Sequence, residues 1–291
     1  MTVLTDCLRD IEQLFDVAVL DQYGVLHNGI EPYPFANAAL DFLKDSGKAF
    51  AILSNSGKRA ELNKDRICRL GVRLDRNCLV ETSGEACWRD FDAAELVVSP
   101  GNRQTAFPVE TKVGDAKGWA AGNRHIEIVS NLDRADTVLL MGMPEPERLD
   151  DVFNMFERAI VQNLPLICTN PDRLSTGRNG TLPSPGILAD RFGELGGRVI
   201  WYGKPHPRVF EVVRDRFPDV DPRRILMIGD SMEHDIAGAK RAGWSTAFVR
   251  GGIHAEEFRH APGNDSILAT LQQLANRSDC FAPDFSLPEL R

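Results

Sequence analysis

Three stretches of the chain repeat one pattern: a short apolar run, a small or polar cluster at its end, then apolar positions at helical spacing. The first is residues 16–24 (DVAVLDQYG), where Val17, Ala18, Val19 and Leu20 run into Asp21 and, two residues on, Tyr23. The second is residues 48–72 (KAFAILSNSGKRAELNKDRICRLGV), in which Leu62, Ile67 and Leu70 mark a helix face and Gly71 its stop. The third is residues 223–244 (RRILMIGDSMEHDIAGAKRAGW), with Ile236, Ala239 and Ala242 on the helix, Gly243 closing it, and a further strand in STAFVRGG behind it. Apolar runs alternating with helical patterns predict an α/β fold: a doubly wound, Rossmann-like parallel sheet covered on both faces. In such sheets the working groups collect beyond the carboxyl ends of the strands. Asp21, Ser54 and Asp230 each stand at such an end and are expected to converge.

Residues 83–200 read as a separate inserted α/β domain. Strands are expected in ELVVSPG (95–101), HIEIVS, DTVLLMG and LPLICTN. A helix is expected over RLDDVFNMFERAIVQN, where Val152, Phe153, Phe156 and Ile160 share a face. Residues 1–82 and 201–291 then form one discontinuous core. PGN at 100–102 reads as a loop, TNPD at 169–172 as turn chemistry, and the proline-bearing end CFAPDFSLPELR as a surface-lying tail. Trp88, Trp119, Trp201 and Trp244 read as core or domain-interface residues.

Composition narrows the function classes. A chain of 291 residues fits two domains, and its 43% hydrophobic and 26% charged content is that of a soluble globular protein. The net charge of −8, with no basic stripe, argues against nucleic acid as a partner. Any positive charge that holds an anionic substrate must be local. The six cysteines show no metal-binding or redox spacing and read as reduced thiols. The first residues lack the basic start and apolar run of a signal peptide, and no window approaches the ~18 apolar residues of a membrane span. The expected location is the cytoplasm, without membrane association.

Taken singly, each chemistry-bearing stretch has a plain structural explanation. Asp21 caps a turn, LSNSGK is a strand-to-helix turn, YGKPHP is a turn with a lysine, and IGDSMEHD is a capped helix start. Together and in this order they resemble the four motifs of the haloacid dehalogenase superfamily: an Asp closing the first strand, a Ser closing the second, a Lys, and a Gly-Asp followed by a further Asp. The resemblance spans essentially the whole chain. The late position of the insert, its TNPD and the GKPHP around Lys204 are similar to the class with a large α/β cap, which includes p-nitrophenyl, pyridoxal phosphate and sugar-phosphate phosphatases.

The resemblance implies a role for each position. Asp21 is the nucleophile that forms an aspartyl-phosphate. Ser54, with backbone N–H groups around Asn55, binds the phosphoryl oxygens at a helix N-terminus. Lys204 neutralises Asp21 and the phosphoryl group. Mg²⁺ is held by Asp21, the backbone carbonyl of Tyr23 and Asp230, with Asp235 orienting Lys204 or a metal-bound water. The substrate is a small phosphorylated metabolite, and pairing of caps in a homodimer is a form this class allows.

Tyr23 departs from the pattern. Phosphatases of the superfamily place a second Asp there, which protonates the leaving oxygen and then activates water. A tyrosine near pKa ~10 can donate a proton but is a poor base at neutral pH. Asp-x-Tyr-Gly is the form found in true 2-haloacid dehalogenases, where the departing halide needs no proton. Against that reading, the acid at Asp230 is retained, and the insert is large and late. The expectation is therefore a slow or leaving-group-selective phosphatase. A carbon–halogen hydrolase and a degenerate protein that only binds a phosphometabolite are the alternatives. His27 and His206 are candidates to replace the missing acid, although each reads more simply as structural.

Overall fold

A computed structural model describes residues 2–101, 103–177 and 180–291; Asn102, the last residue of the PGN stretch, lies outside them. The strands in chain order are β1 (Val3–Leu4), β2 (Val17–Leu20), β3 (Ala49–Ser54), β4 (Leu79–Thr82), β5 (Gln104–Val109), β6 (Ile126–Ile128), β7 (Thr137–Leu140), β8 (Leu166–Cys168), β9 (Leu174–Gly177), β10 (Gly180–Pro183), β11 (Val199–Trp201), β12 (Ile225–Gly229), β13 (Ser245–Val249) and β14 (Phe285–Leu287). They form a seven-stranded sheet in the order β1-β14-β13-β12-β2-β3-β4, a five-stranded sheet in the order β11-β8-β7-β5-β6, and the antiparallel hairpin β9–β10. Both larger sheets are parallel throughout. β2 and β12 lie side by side at the centre of the first sheet, with Leu20 opposite Ile228. All nine of their residues are buried, as continuous apolar runs in a two-sided parallel sheet require.

One apolar cluster joins the two sheets. It contains Val19, Ala51 and Leu53 of the first sheet, Ala86 and Phe91 of the helix Ser83–Asp92, and Leu139 and Ile167 of the second. Trp119 adds its ring to this cluster and donates its indole N–H to the Gly84 carbonyl at 2.8 Å. At about 1.5–3 kcal/mol for each large buried apolar side chain, this contact holds the second sheet firmly on the first.

Several expectations need correction. Residues 95–101 form no strand; Val97 is exposed, and the Gln104 side chain accepts the N–H groups of Val98 and Ser99 at 2.9 Å. The sequence reading missed β5, whose apolar pattern is broken by Pro108, and also β9, β10 and β11. The C-terminal segment is no surface tail: Phe285–Leu287 runs between β1 and β13, and Leu287 and Leu290 are buried. On the helix Ala60–Arg69, Ile67 is buried as expected, but Leu62 is exposed and Asn63 is buried in its place. Asn63 is satisfied there by Gln22, whose side-chain carbonyl accepts its amide N–H at 2.7 Å.

Candidate functional site

The Asp21 N–H donates to the Ile228 carbonyl of β12 at 2.9 Å, so the first residue past β2 stays tied to the sheet and its carboxylate emerges at the strand end. Three segments meet it there. The Lys204 ammonium donates to Asp21 Oδ1 at 2.6 Å and to the Leu53 carbonyl at 3.1 Å, and pairs with Asp235 Oδ1 at 2.7 Å. The other Asp235 oxygen accepts the Ser231 N–H at 3.0 Å. Asp230, one residue past β12, accepts the Ile253 N–H at 2.6 Å. Carboxylate oxygens of Asp21, Asp230 and Asp235 lie within 4.8 Å of one another. The cluster lines a cavity of about 330 Å³ together with Ser54, Tyr23 and Lys204.

Lys204 is delivered by a rigid approach. The Tyr202 hydroxyl donates to Asp90 at 2.7 Å, fixing one end of the YGKP turn to the helix Ser83–Asp92. Gly203 takes φ +106°, and a Cβ there would sit 2.5 Å from Ser83 Oγ, so no other residue fits without displacement. Asn55 braces the turn from the other side. Its carbonyl accepts the Lys204 N–H at 2.7 Å, and its amide donates to the Lys204 carbonyl at 3.2 Å and to Asp172 Oδ1 at 2.7 Å. Gly24, at φ +89°, passes so close to Asp230 that a Cβ would lie 1.9 Å from its Oδ2.

The electrostatics are unbalanced. Three buried carboxylates face one buried ammonium. Burial, reinforced by Asp235 and only partly offset by Lys204, lifts the Asp21 carboxyl to about 7. Burial and the neighbouring carboxylates raise Asp230 well above the ordinary range. For Lys204, burial alone would lower the ammonium, but the charges of Asp21 and Asp235 outweigh it and hold it higher than usual. A compact set of hard oxygen donors with excess negative charge fits a small divalent cation.

The other expected residues divide. Ser54 is buried at the strand end and accepts the Ser56 N–H on Oγ at 3.2 Å. The helix behind it starts only at Ala60, so Ser54 is separated from the helix N-terminus by a five-residue turn. The Asn55 side chain is engaged in holding Lys204. Tyr23 reaches the cavity half-buried, edge-on to His27 at 5.3 Å between ring centres, and burial raises its phenol above the usual value. His27 is buried, takes the Gly29 N–H on Nδ1 at 2.9 Å, and is pushed down to about 4 by burial. His206 stacks on Trp201 at 5.5 Å. Neither histidine is among the residues lining the cavity.

Sequence reasoning missed His234, Arg66 and the wall formed by the hairpin through Leu174 and Leu182. His234 Nδ1 donates to the Lys204 carbonyl at 3.0 Å, and its Nε2 lies 3.6 Å from Asp172 Oδ1. Asp172 belongs to the TNPD turn, so this stretch brings the insert into the cavity; its side-chain reach could not be read from turn residues alone. All six cysteines are free thiols, and among the described residues no helix is long and apolar enough to cross a membrane.

Comparisons with known proteins agree with this geometry. A family model described as haloacid dehalogenase-like hydrolase matches residues 18–95, and a second model of the same kind matches residues 201–274. The chain is 25% identical over 279 residues to the dihydroxyacetone phosphatase of Corynebacterium glutamicum, covering 91% of each chain. It is 28% identical over 256 residues to bovine chronophin, covering 86% of each. Among solved structures, a haloacid dehalogenase-like hydrolase from Brucella suis superposes with a TM-score of 0.78 at 26% identity, over 99% of this chain and 100% of that one. The p-nitrophenyl phosphatase of Archaeoglobus fulgidus shares the fold with a TM-score of 0.72 at 22% identity, over 94% and 96%. With four motifs at the ends of β2, β3 and β12 and on the turn after β11, and with matches on both sides of the insert, the chain belongs to the haloacid dehalogenase-like hydrolases, in the class that carries a large α/β cap.

Proposed function

We propose that the protein is a Mg²⁺-dependent phosphatase that hydrolyses a small phosphate monoester through an aspartyl-phosphate on Asp21. The observation that supports this best is the Lys204 ammonium held 2.6 Å from Asp21 and 2.7 Å from Asp235, with Asp230 in the same oxygen cluster. The names of the relatives, phosphatases of dihydroxyacetone phosphate and p-nitrophenyl phosphate, point to the same substrate class. Residues 1–82 and 201–291 serve as the catalytic core in this reading, and 83–200 as the cap that sets specificity.

Asp21, Asp230 and the Tyr23 carbonyl would hold Mg²⁺, which supplies positive charge against the phosphoryl oxygens and lowers the repulsion between carboxylate and phosphate dianion. Asp21 attacks phosphorus, its Oδ–P bond forming as the ester P–O bond breaks. Lys204 stabilises the charge on both groups, held at its post by Asp235 and by the Asn55 brace. Ser54 donates its hydroxyl to a non-bridging oxygen. Water then attacks the acyl-phosphate, releasing inorganic phosphate and restoring the Asp21 carboxylate. The phenol of Tyr23, raised by burial, is a weaker acid than the aspartate of its relatives and no base at neutral pH. Capture is therefore expected to outrun hydrolysis, with one equivalent of alcohol released in a burst.

The test is hydrolysis of p-nitrophenyl phosphate with and without EDTA, in wild type and Asp21→Asn. Turnover that needs the divalent ion and disappears with Asp21→Asn supports the proposal; equal rates in the variant would remove Asp21 from its role. Tyr23 also favours a second reading, carbon–halogen hydrolysis, whose mark is halide release from 2-haloacids that survives EDTA. The cytoplasm is the location, and a cap-paired homodimer the assembly, that go with this reading.

A further inference from the structure

Arg66 lines the same cavity as Asp21, from the helix Ala60–Arg69, and is half-buried there. Its environment differs from that of Lys204. Both carboxylates next to Lys204 are committed to it, at 2.6 and 2.7 Å. Among the described residues no carboxylate lies within 4.0 Å of Arg66, and no hydrogen-bond acceptor is satisfied by its guanidinium. Two neighbouring arginines do have internal partners. Arg59, on the same segment, pairs with Glu85 at 2.6 Å, and Arg73 pairs with Asp41 at 2.6 Å. A half-buried guanidinium that lines a cavity without an internal partner is set to receive one from outside.

Its place in the cavity identifies which part of a ligand it meets. Arg66 lines the cavity together with Tyr23, two residues past Asp21, and its charge reaches the Tyr23 phenol. In the proposed reaction Lys204 and Ser54 serve the phosphoryl group, Lys204 from its contact with Asp21. By the resemblance to the superfamily, Tyr23 stands where its phosphatases protonate the leaving oxygen, so we assign Arg66 to the leaving-group end. Among the described residues, Leu174, Leu182 and Ser184 of the same lining bring no cation.

We infer that Arg66 is a specificity-determining residue that pairs with a second anionic group on the leaving portion of the substrate, so that the substrate class is phosphate monoesters carrying a carboxylate or a second phosphate. This rests on the phosphatase reading above. The guanidinium fork matches a carboxylate or phosphate with two parallel N–H···O bonds, and a charge-assisted pair in a partly dehydrated cavity corresponds to about 10- to 100-fold in selectivity.

The test compares matched esters with Mg²⁺: phosphoglycolate against ethyl phosphate, and 3-phosphoglycerate against glycerol 3-phosphate, in wild type, Arg66→Gln and Arg66→Lys. The expected result is a wild-type kcat/KM about 10- to 100-fold higher for each ester with the extra carboxylate. That ratio should collapse toward one in Arg66→Gln and be partly kept in Arg66→Lys. Equal kcat/KM for the matched pairs in wild type, or a preference that persists in Arg66→Gln, would overturn the inference while leaving phosphatase activity standing. If wild type hydrolyses no ester, the phosphatase reading fails by itself. The pairing is then read from thermal shifts with 3-phosphonopropionate against propylphosphonate, where a preference for the former that is lost in Arg66→Gln supports the assignment and no preference refutes it.

Discussion

Replacing Asp21 by Asn should stabilise the metal-free protein while abolishing turnover. The Asp21 carboxyl is lifted from 3.8 to about 7 by burial and by Asp235, with Lys204 offsetting only part. A displacement of about three pH units, at about 1.4 kcal/mol each, means that keeping this group ionised in the folded state costs roughly 4 kcal/mol. The sign follows from the direction: a folded-state value above the unfolded one gives no penalty below about pH 4, a growing one as pH rises toward 7, and a full one above it. Asn removes the charge and keeps an oxygen that can accept from the Lys204 ammonium, now 2.6 Å from Asp21. It also gives up the ion pair, so the net gain should be about 1–3 kcal/mol, or roughly 2–8 °C in Tm for a chain of this size. The assay is thermal denaturation of both proteins in EDTA between pH 5.5 and 8.5, repeated with excess Mg²⁺. The gap should open with rising pH in EDTA and close with Mg²⁺, because the wild type gains more from the ion. A variant less stable than wild type at pH 8 in EDTA, or a gap that ignores pH, would refute the charge account of the cluster.

Other outcomes follow from the same geometry. Tyr23→Asp should speed the slow phase after the burst by about 10–100-fold, read by rapid-quench phosphate release. Gly24→Ala should destabilise by about 2–4 kcal/mol in urea denaturation and weaken Mg²⁺ binding, because its Cβ would meet Asp230 Oδ2 at 1.9 Å in a backbone region alanine resists. Asn55→Ala removes three hydrogen bonds to Lys204 and Asp172, about 1 kcal/mol each. It should raise hydrogen exchange in the segments around residues 170–172 and 203–205 and lower kcat/KM about 100-fold. Deleting residues 284–291 strips β14 from between β1 and β13 and should leave the protein insoluble or unfolded in circular dichroism.

The core was legible because its parallel strands are buried on both faces and therefore read as unbroken apolar runs ending in chemistry: Leu20 into Asp21, Leu53 into Ser54, Gly229 into Asp230. What stayed hidden depends on long-range pairing. Pro108 breaks the apolar pattern of β5, yet it lies past the end of the β6 pairing and is held in the strand by β7 alone, opposite Leu139. Phe285–Leu287 is too short for periodicity to speak, and only its pairing with β13 and β1 makes it a strand. The buried Asn63 reads as surface until Gln22 satisfies it. In the cavity, His234 and Asp172 escaped although both lie in quoted motifs, because no role was assigned to them there; their meeting depends on how the TNPD turn folds back over the Lys204 backbone.

The measurement closest to the central claim is a crystal structure with Mg²⁺ and beryllium trifluoride. The account predicts the fluoride adduct on an Asp21 carboxylate oxygen, one Mg²⁺ shared by Asp21 and Asp230, and the Lys204 ammonium bonded to the adduct. An adduct on any other residue, or an ion that leaves Asp21 and Asp230 unliganded, would contradict it.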